Sequence, residues 1–156
     1  MYEIQDGNRT LKFEGQLLGF SSSWRPGSFR WIEFDLYRTL GGSYVLSRVG
    51  VSVVYHGASC PLVKRYGLTE IDTQDLAEEA TPCPECLPND LVPVVFPEKD
   101  RHWAMVTEDA GSVLEALYKY DDHGNRYLTK VAERLLLEAA KNDAAIDQAY
   151  RVEIIL

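Results

Sequence analysis

The three cysteines of this chain and one of its histidines form two short pairs, His56-x3-Cys60 and Cys83-x2-Cys86. Two donors separated by two or three residues can reach one ion from a single tight turn. Thiolate sulfur together with imidazole nitrogen suits a tetrahedral zinc ion. The pairs stand 22 residues apart, so a shared ion would tie the middle of the chain together. We therefore predict one zinc ion bound by His56, Cys60, Cys83 and Cys86.

The predicted zinc site is closed, because all four coordination positions are taken by protein groups. Such a site is normally structural rather than catalytic. Two other interpretations stay open: three reduced cysteines with a histidine at a strand end, or a redox pair formed by Cys83 and Cys86. Redox pairs usually open a helix, whereas Pro84 and Pro88 favour a rigid turn at this position.

The segment around these ligands resembles a known family. Residues 55–60, a short helix expected over Gln74–Ala80 and then residues 80–88 are similar to the N-terminal zinc module of the Ada DNA-alkylation-repair family. The shared pattern is a ligand pair with three residues between, a helix, and Pro-Cys-x2-Cys-x-Pro. The resemblance covers residues 54–90 and no other part of the chain. It implies a structural zinc ion and an inherited association with DNA.

One position departs from the family pattern. In Ada the first ligand is a cysteine that accepts a methyl group from a phosphotriester, and here that position is His56. An imidazole cannot replace a zinc-activated thiolate as the acceptor in that chemistry. The resemblance therefore does not extend to alkyl transfer.

Charge is distributed unevenly along the chain, whose net charge is −8. Residues 1–65 carry eight Lys/Arg against five Asp/Glu, and residues 66–156 carry eight against nineteen. An acidic surface repels phosphate backbones, so nucleic acid is expected to contact the first half. The acidic half serves solubility, or it meets a basic protein surface by imitating nucleic acid, as inhibitors encoded by mobile elements can.

The candidate nucleic-acid-binding residues lie in that first half. The loop at residues 21–30 combines small polar residues with aromatic and basic ones, as surfaces that bind single strands do. A polar connection between strands, with two arginines at its rim, is the alternative interpretation. The residues that would contact nucleic acid are Trp24, Arg25, Arg30, Lys64 and Arg65.

The first third of the chain has the pattern of an antiparallel β-meander. In the strand Arg30–Arg38, Ile32, Phe34 and Leu36 share one face while acidic residues occupy the other. Gly41-Gly42 predicts a turn, residues 44–49 the returning strand, and residues 51–55 a third strand that ends at His56. One or two earlier strands are expected within residues 1–20, with breaks at Gly7, Gly15 and Gly19. Further strands are expected over residues 91–96 and 102–106, joined by a turn at 97–100.

The last third has helical periodicity. Thr107 or Asp109 is expected to cap a helix over residues 111–120 that ends at Asp122-His123-Gly124. A second helix begins near Leu128, with its apolar stripe on one face, and breaks at Asn142-Asp143 before a shorter helix to Tyr150. Residues 152–156 form a last strand or docking segment. The stripe consists of Leu128, Val131, Ala132, Leu135 and Ala139.

These patterns predict a single α+β domain spanning residues 1–156. Its parts are a β-meander (1–56), a zinc knuckle (57–90) and a strand hairpin with helices (91–156). No apolar run reaches the ~18 residues that a membrane span needs, and an odd cysteine count fits a reducing compartment. We expect a cytoplasmic protein that does not enter a membrane.

The expected function is that of a small zinc-stabilised binding or accessory protein, associated with nucleic acid. An acidic inhibitor or regulator of another protein is the first alternative, and an enzyme of unrecognised type is the second. His102 and His123 stand beside carboxylates, but the known phosphate-loop, nucleophile-elbow and metalloprotease motifs are missing from the sequence. His123 is expected to interact with the dipole of a helix end. The sequence leaves the partner and the oligomeric state open.

Overall fold

The computed structural model describes residues 1–26, 28, 30–57, 81–82, 91–95, 100–152 and 155, with the backbone alone for 53–57, 81–82 and 91–95. The described residues form an antiparallel strand meander followed by three helices, so the predicted α+β class is confirmed. The chain divides into two compact units. The first comprises Met1–Ser23, Glu33–Val49 and His102–Leu156, and the second comprises Trp24–Ile32 and Gly50–Arg101.

Ten strands and three helices lie within the described residues. The strands are β1 (Tyr2–Asp6), β2 (Arg9–Phe13), β3 (Gly15–Ser22), β4 (Arg30–Thr39), β5 (Tyr44–Gly57), β6 (Thr81–Pro82), β7 (Leu91–Val95), β8 (Arg101–Thr107), β9 (Lys119–Tyr120) and β10 (Arg126–Tyr127). The helices are α1 (Ala110–Leu117), α2 (Lys130–Asn142) and α3 (Ala144–Arg151). The order of paired strands is β3-β4-β5, and β8 also pairs with β5.

One face of the sheet in the first unit packs on α2. Phe34 and Leu36 of β4 are buried there, which confirms the predicted alternation of that strand. Gly19 of β3 lies against the helix backbone, because a Cβ at this position would stand 3.2 Å from both Ala139 N and Leu135 O. Gly19 therefore does not break the strand as the sequence suggested. It lets the helix approach the sheet closely.

The opposite face of the sheet is partly covered by the hairpin of β1 and β2. Gly7 makes its turn with a positive φ of 58°, which glycine adopts without steric cost. Two aromatic rings of the hairpin meet Tyr37 of β4: the Tyr2 ring at 4.7 Å and the Phe13 ring at 5.1 Å between centroids. Burial raises the pKa of Tyr37 to about 12. This aromatic cluster fastens the hairpin to the sheet.

On β8 and β3, the outer strands of this sheet, backbone groups form hydrogen bonds with other elements. On β8, the His102 carbonyl accepts from Gly7 N at 2.8 Å, and Ala104 N donates to the Asp6 carboxylate at 3.1 Å. On β3, α2 side chains donate to the carbonyls of Leu18 (from Asn142, 2.8 Å) and Ser22 (from Arg134, 2.9 Å). Such cover limits pairing of an edge strand with another chain.

Helix α1 begins where the sequence predicted but ends earlier. Asp109 caps it by accepting from Gly111 N at 3.0 Å, whereas the chain is already extended at Tyr118. The residues expected to continue the helix instead form the hairpin of β9 and β10. The Asp121 carboxylate accepts from the backbone N–H of the residues two and four positions later, both at 2.9 Å, and Gly124 takes a φ of 79°. These local bonds favour the turn over another helical turn.

Two predictions about this region are therefore wrong. Asp122-His123-Gly124 lies in a hairpin turn and does not end a helix. His123 is exposed in that turn, so it does not interact with a helix dipole. The competing signal is the side chain of Asp121, which bonds to its own local backbone.

Helices α2 and α3 follow the predicted pattern. Val131, Ala132, Leu135 and Ala139 are buried, and Leu136 joins them although it was not assigned to the stripe. Thr129 caps α2 by accepting from Ala132 N at 3.3 Å. The break predicted at Asn142-Asp143 is confirmed, with Asp143 acting as the cap of α3. Within the described part of the chain, no helix has both the length and the apolarity needed to cross a bilayer.

Strand β5 differs from the prediction of two strands separated at Gly50. It runs without interruption over 14 residues and includes Gly50. A Cβ on Gly50 would stand 3.0 Å from the Arg101 guanidinium, so this glycine leaves room for a long side chain. The helix expected over Gln74–Ala80 and the turn at 97–99 lie outside the described residues. So do three of the five residues of the predicted last strand.

Candidate metal centre and binding surfaces

In the second unit, the strand that carries His56 pairs on two sides. Strand β6 is parallel to β5, with Val54 opposite Thr81 and Tyr55 opposite Pro82. Strand β7 is antiparallel to β5, and there the backbone of His56 is opposite Val92. Strand β5 is thus the common neighbour of both strands.

The parallel register bears directly on the predicted zinc ligands. It ends at Tyr55 and Pro82, and the next residues in the sequence are His56 and Cys83, the first members of their ligand pairs. Neighbouring strands in a sheet lie about 4.8 Å apart. The residues that immediately precede the two ligand pairs in the sequence are therefore paired side by side on adjacent strands.

Three of the four predicted ligands, Cys60, Cys83 and Cys86, lie outside the described residues, as do Lys64 and Arg65. No group of three or more His, Cys, Asp or Glu suited to a metal occurs among the residues that are described. The three cysteines are not among those residues. The donor set, three thiolates and one imidazole, remains chemically appropriate for zinc.

The described candidate nucleic-acid residues share the second unit with His56. Trp24 is 49% exposed, and Arg25 and Arg30 are also exposed. The loop is held by a turn in which Ser28 N donates to the Arg25 carbonyl at 2.9 Å, while Arg25 N donates to the Ser28 hydroxyl at 3.0 Å. This turn fixes the backbone from which Arg25 projects.

In the first unit, sequence reasoning missed a buried polar junction around Asp143. Its carboxylate accepts from Arg38 Nη1 at 2.7 Å, from the Tyr44 hydroxyl at 2.9 Å and from Ile146 N at 3.0 Å. Burial acts to raise the pKa of Asp143, but these three bonds outweigh burial and leave that pKa below its usual value. Burial, followed by the bond to Asp143, raises the pKa of Tyr44 to about 12. No sequence signal links residues about a hundred positions apart.

A shallow cavity of ≈ 570 Å³ adjoins this junction. Its walls include Arg38, Tyr44, Glu108 and Gln148, together with Asp109, which already caps α1. His102 and His123, the histidines considered as acid or base, are not among its lining residues.

A second feature missed by sequence reasoning is the environment of Asp35. The alternation of β4 predicts that Asp35 lies on the acidic face, and on that face its carboxylate is half-buried. Burial, followed by the like charge of Glu33, raises the pKa of Asp35 to about 6. Asp35 lies directly opposite Phe20 of β3, whose side chain is 44% exposed. A charged group and an exposed ring therefore share one face of the sheet.

Comparisons with protein-family models, curated proteins and solved structures return no match for this chain. The resemblance of residues 54–90 to the Ada zinc module remains a prediction from the sequence. Function is therefore argued from the chemistry and placement of the chain's own residues.

Proposed function

We propose that the chain is a small zinc-stabilised binding protein that associates with nucleic acid and does not transfer alkyl groups. The observation that carries the proposal is the register of β5 and β6, whose last paired residues immediately precede His56 and Cys83. Zinc, when bound, supplies a structural crosslink between the two ligand pairs. A reducing, cytoplasmic compartment would keep the thiols available as ligands.

The lack of alkyl transfer follows from the ligand set. Alkyl acceptance in the Ada manner needs a zinc-activated thiolate at the first ligand position, and His56 stands there. With four protein ligands, the proposed site also has no open position for water or substrate. The metal would therefore stabilise the fold of the second unit and take no part in a reaction.

Support for a nucleic-acid partner comes from the loop of the second unit. Trp24 offers an exposed ring for stacking, and Arg25 and Arg30 offer cations for phosphates. Base stacking on aromatic side chains tolerates any sequence and suits single strands. We therefore expect single-stranded nucleic acid to bind more tightly than a duplex.

Fluorescence anisotropy with a labelled single-stranded oligonucleotide, measured over a range of salt concentrations, tests this partner. Each phosphate contact contributes about −0.7 to the slope of log K against log salt, so Arg25→Ala with Arg30→Ala should flatten that slope by about 1.4. Trp24→Ala should weaken binding by about 1–3 kcal/mol. The matched control replaces two exposed lysines of α2, Lys130→Ala with Lys141→Ala, and should leave the slope unchanged.

Two results would contradict the proposal that the partner is nucleic acid. The first is no binding by the zinc-loaded chain at micromolar concentration and low salt. The second is an equal loss of slope in the α2 lysine control, which would show a general charge effect. Neither result bears on the zinc site, which a metal measurement tests separately.

A further inference from the structure

The β1–β2 hairpin is a self-contained element of the first unit. Its two strands pair with each other and form a sheet separate from the ladder of β3, β4 and β5. Side chains also pair across the hairpin: Glu3 with Lys12 at 3.2 Å, and Asp6 with Arg9 at 2.7 Å. The bonds that hold the hairpin together are therefore distinct from those that attach it to the rest of the unit.

The attachment of this hairpin to the sheet is shallow. None of the strand residues of β1 and β2 is buried, whereas Leu36 of β4 and Leu46 of β5 are fully buried. In the described part of the chain, the rings of Tyr2 and Phe13 contact Tyr37, and the turn makes two hydrogen bonds to β8. Elements with few buried apolar contacts and exposed hydrogen bonds are the ones that open locally, at a lower free energy than global unfolding.

The chain passes from the hairpin to the sheet at Glu14. The Glu14 carbonyl accepts from Leu40 N at 2.9 Å, and the next residue, Gly15, already pairs with Thr39 of β4. A Cβ on Gly15 would clash with the carbonyl of Arg38, so this glycine packs directly against the β4 backbone. The sheet is thus fixed from Gly15 onward, and a swing of the hairpin would bend the chain at Glu14.

The turn of the hairpin occupies the edge of β8 that faces away from β5. The His102 carbonyl accepts from Gly7 N at 2.8 Å, and Ala104 N donates to the Asp6 carboxylate at 3.1 Å. Groups two residues apart on a strand point to the same edge, so this acceptor and this donor are the pair that one residue of a further parallel strand would use. The turn therefore takes the place of a strand at this edge.

We propose that the β1–β2 hairpin is a lid that swings about Glu14 and opens while the β3–β4–β5 sheet stays folded. Closed, the lid keeps the edge of β8 from pairing with another chain. Open, it uncovers the His102 carbonyl and the Ala104 N–H for pairing with an extended segment. The lid lies in the first unit, whereas the proposed zinc and nucleic-acid residues lie in the second. The inference is therefore independent of the proposed function.

Native-state amide hydrogen exchange of the full chain, followed by NMR, tests the lid. The N–H groups of Gly7 and Ala104 report on its opening, because both are bonded across the contact between the turn and β8. The amides of β4 that bond to β3 report on the sheet. We expect Gly7 and Ala104 to share one equilibrium constant for opening, at least about 100-fold larger than that of the sheet amides. Low urea concentrations should leave this constant nearly unchanged, because opening of the lid exposes little surface.

Phe13→Ala removes a ring that contacts Tyr37 and should raise the opening constant of both reporters by about tenfold, while the sheet amides stay protected. Their protection also shows that the variant is folded. The matched control is Tyr120→Ala, which removes an exposed ring from the β9–β10 hairpin and should change the constant by less than about twofold.

The lid proposal is overturned if Gly7 and Ala104 exchange no faster than the sheet amides in the wild type. It is also overturned if Phe13→Ala accelerates the sheet amides by the same factor, because the hairpin and the sheet would then unfold together. Clearly different opening constants for Gly7 and Ala104, or an equal effect of Tyr120→Ala, would contradict it as well.

Discussion

The Asp35 carboxylate occupies a position that disfavours its own charge. Burial is the larger influence and the neighbouring Glu33 is the smaller one, and together they raise its pKa to about 6. Because the folded state holds a proton more tightly than the unfolded chain, the energetic penalty is fully present above pH 6. It disappears as the pH falls toward the ordinary carboxyl value near 3.9.

Asp35→Asn should therefore stabilise the protein at neutral pH. After a discount for the exposed part of the side chain, we expect a gain of about 1 kcal/mol in the free energy of unfolding near pH 7.5. The gain should shrink to nearly zero at about pH 3, where the wild-type carboxyl is mostly protonated in both states. Urea unfolding followed by circular dichroism at both pH values measures this difference.

Asp122→Asn serves as the control, since that carboxylate is exposed in a turn and its replacement should change stability little at either pH. A gain for Asp35→Asn that does not depend on pH would contradict the account of the Asp35 environment. So would a loss of stability near neutral pH.

At the residue scale, the sequence predicts which face of β4 each side chain occupies but not how deeply it is buried. The alternation of β4 correctly assigned Phe34 and Leu36 to the buried face and Asp35 to the other. The same alternation could not show that Asp35 is half-buried, because the neighbours of that face come from β3 and from the β1–β2 hairpin. Desolvation depends on tertiary packing, and strand periodicity does not encode it.

At the scale of elements, Asp143 joins the sheet to the helical layer. One carboxylate bonds to Arg38 of β4, to Tyr44 of β5 and to the first turn of α3. Its side chain is 2% exposed, whereas the Arg38 side chain is 41% exposed. Truncating the acid would leave the Tyr44 hydroxyl buried without this acceptor and would remove the helix cap as well.

We expect Asp143→Ala to lower the free energy of unfolding by about 2–3 kcal/mol at neutral pH. Since the pKa of Asp143 is lowered in the fold, its stabilising effect is present above the unfolded pKa near 3.9 and is lost as the pH falls through the folded pKa. The difference between wild type and variant should therefore narrow below about pH 4. Chemical unfolding of both proteins across this pH range provides the measurement.

Asp147→Ala is the matched control, because Asp147 pairs with Arg151 on the surface of the same helix. Exposed pairs of this kind contribute about 0.3–0.5 kcal/mol. If the two alanine variants lost equal stability, the junction would have no special role, and the interpretation of Asp143 would fail.

Elements whose signals are local were predicted well, and those with competing signals were not. Asp109 caps α1, and Asp143 marks the break before α3. Both side chains accept hydrogen bonds from the backbone of the next few residues. The helix predicted over residues 111–120, ending at Asp122-His123-Gly124, is in the structure a shorter helix followed by the β9–β10 hairpin. The hydrogen bonds that the Asp121 carboxylate accepts from its own turn favour the hairpin over a longer helix.

On the scale of the whole molecule, neither unit is basic. The first unit carries ten Lys/Arg against fifteen Asp/Glu, and the second carries six against nine. Nucleic-acid binding would therefore depend on local placement of cations and aromatic rings. The proposed site near Trp24 meets that requirement.

The zinc ion is the central claim at this scale, because it would crosslink the long middle of the chain. The sequence supplied the ligand set, and the register of β5 and β6 adds that the residues just before His56 and Cys83 are paired. Binding free energy at a structural zinc site contributes directly to folding, so removal of the metal should lower stability.

The most direct test is the zinc content of protein purified without added metal, measured by inductively coupled plasma mass spectrometry. We expect about one zinc per chain for the wild type, because a closed four-ligand site binds tightly. Cys83→Ser with Cys86→Ser should fall well below half a zinc per chain, whereas Ser21→Ala, distant from the ligand pairs in sequence, should retain the metal. A wild-type content below about half a zinc per chain, not restored by reconstitution under reducing conditions, would contradict the account.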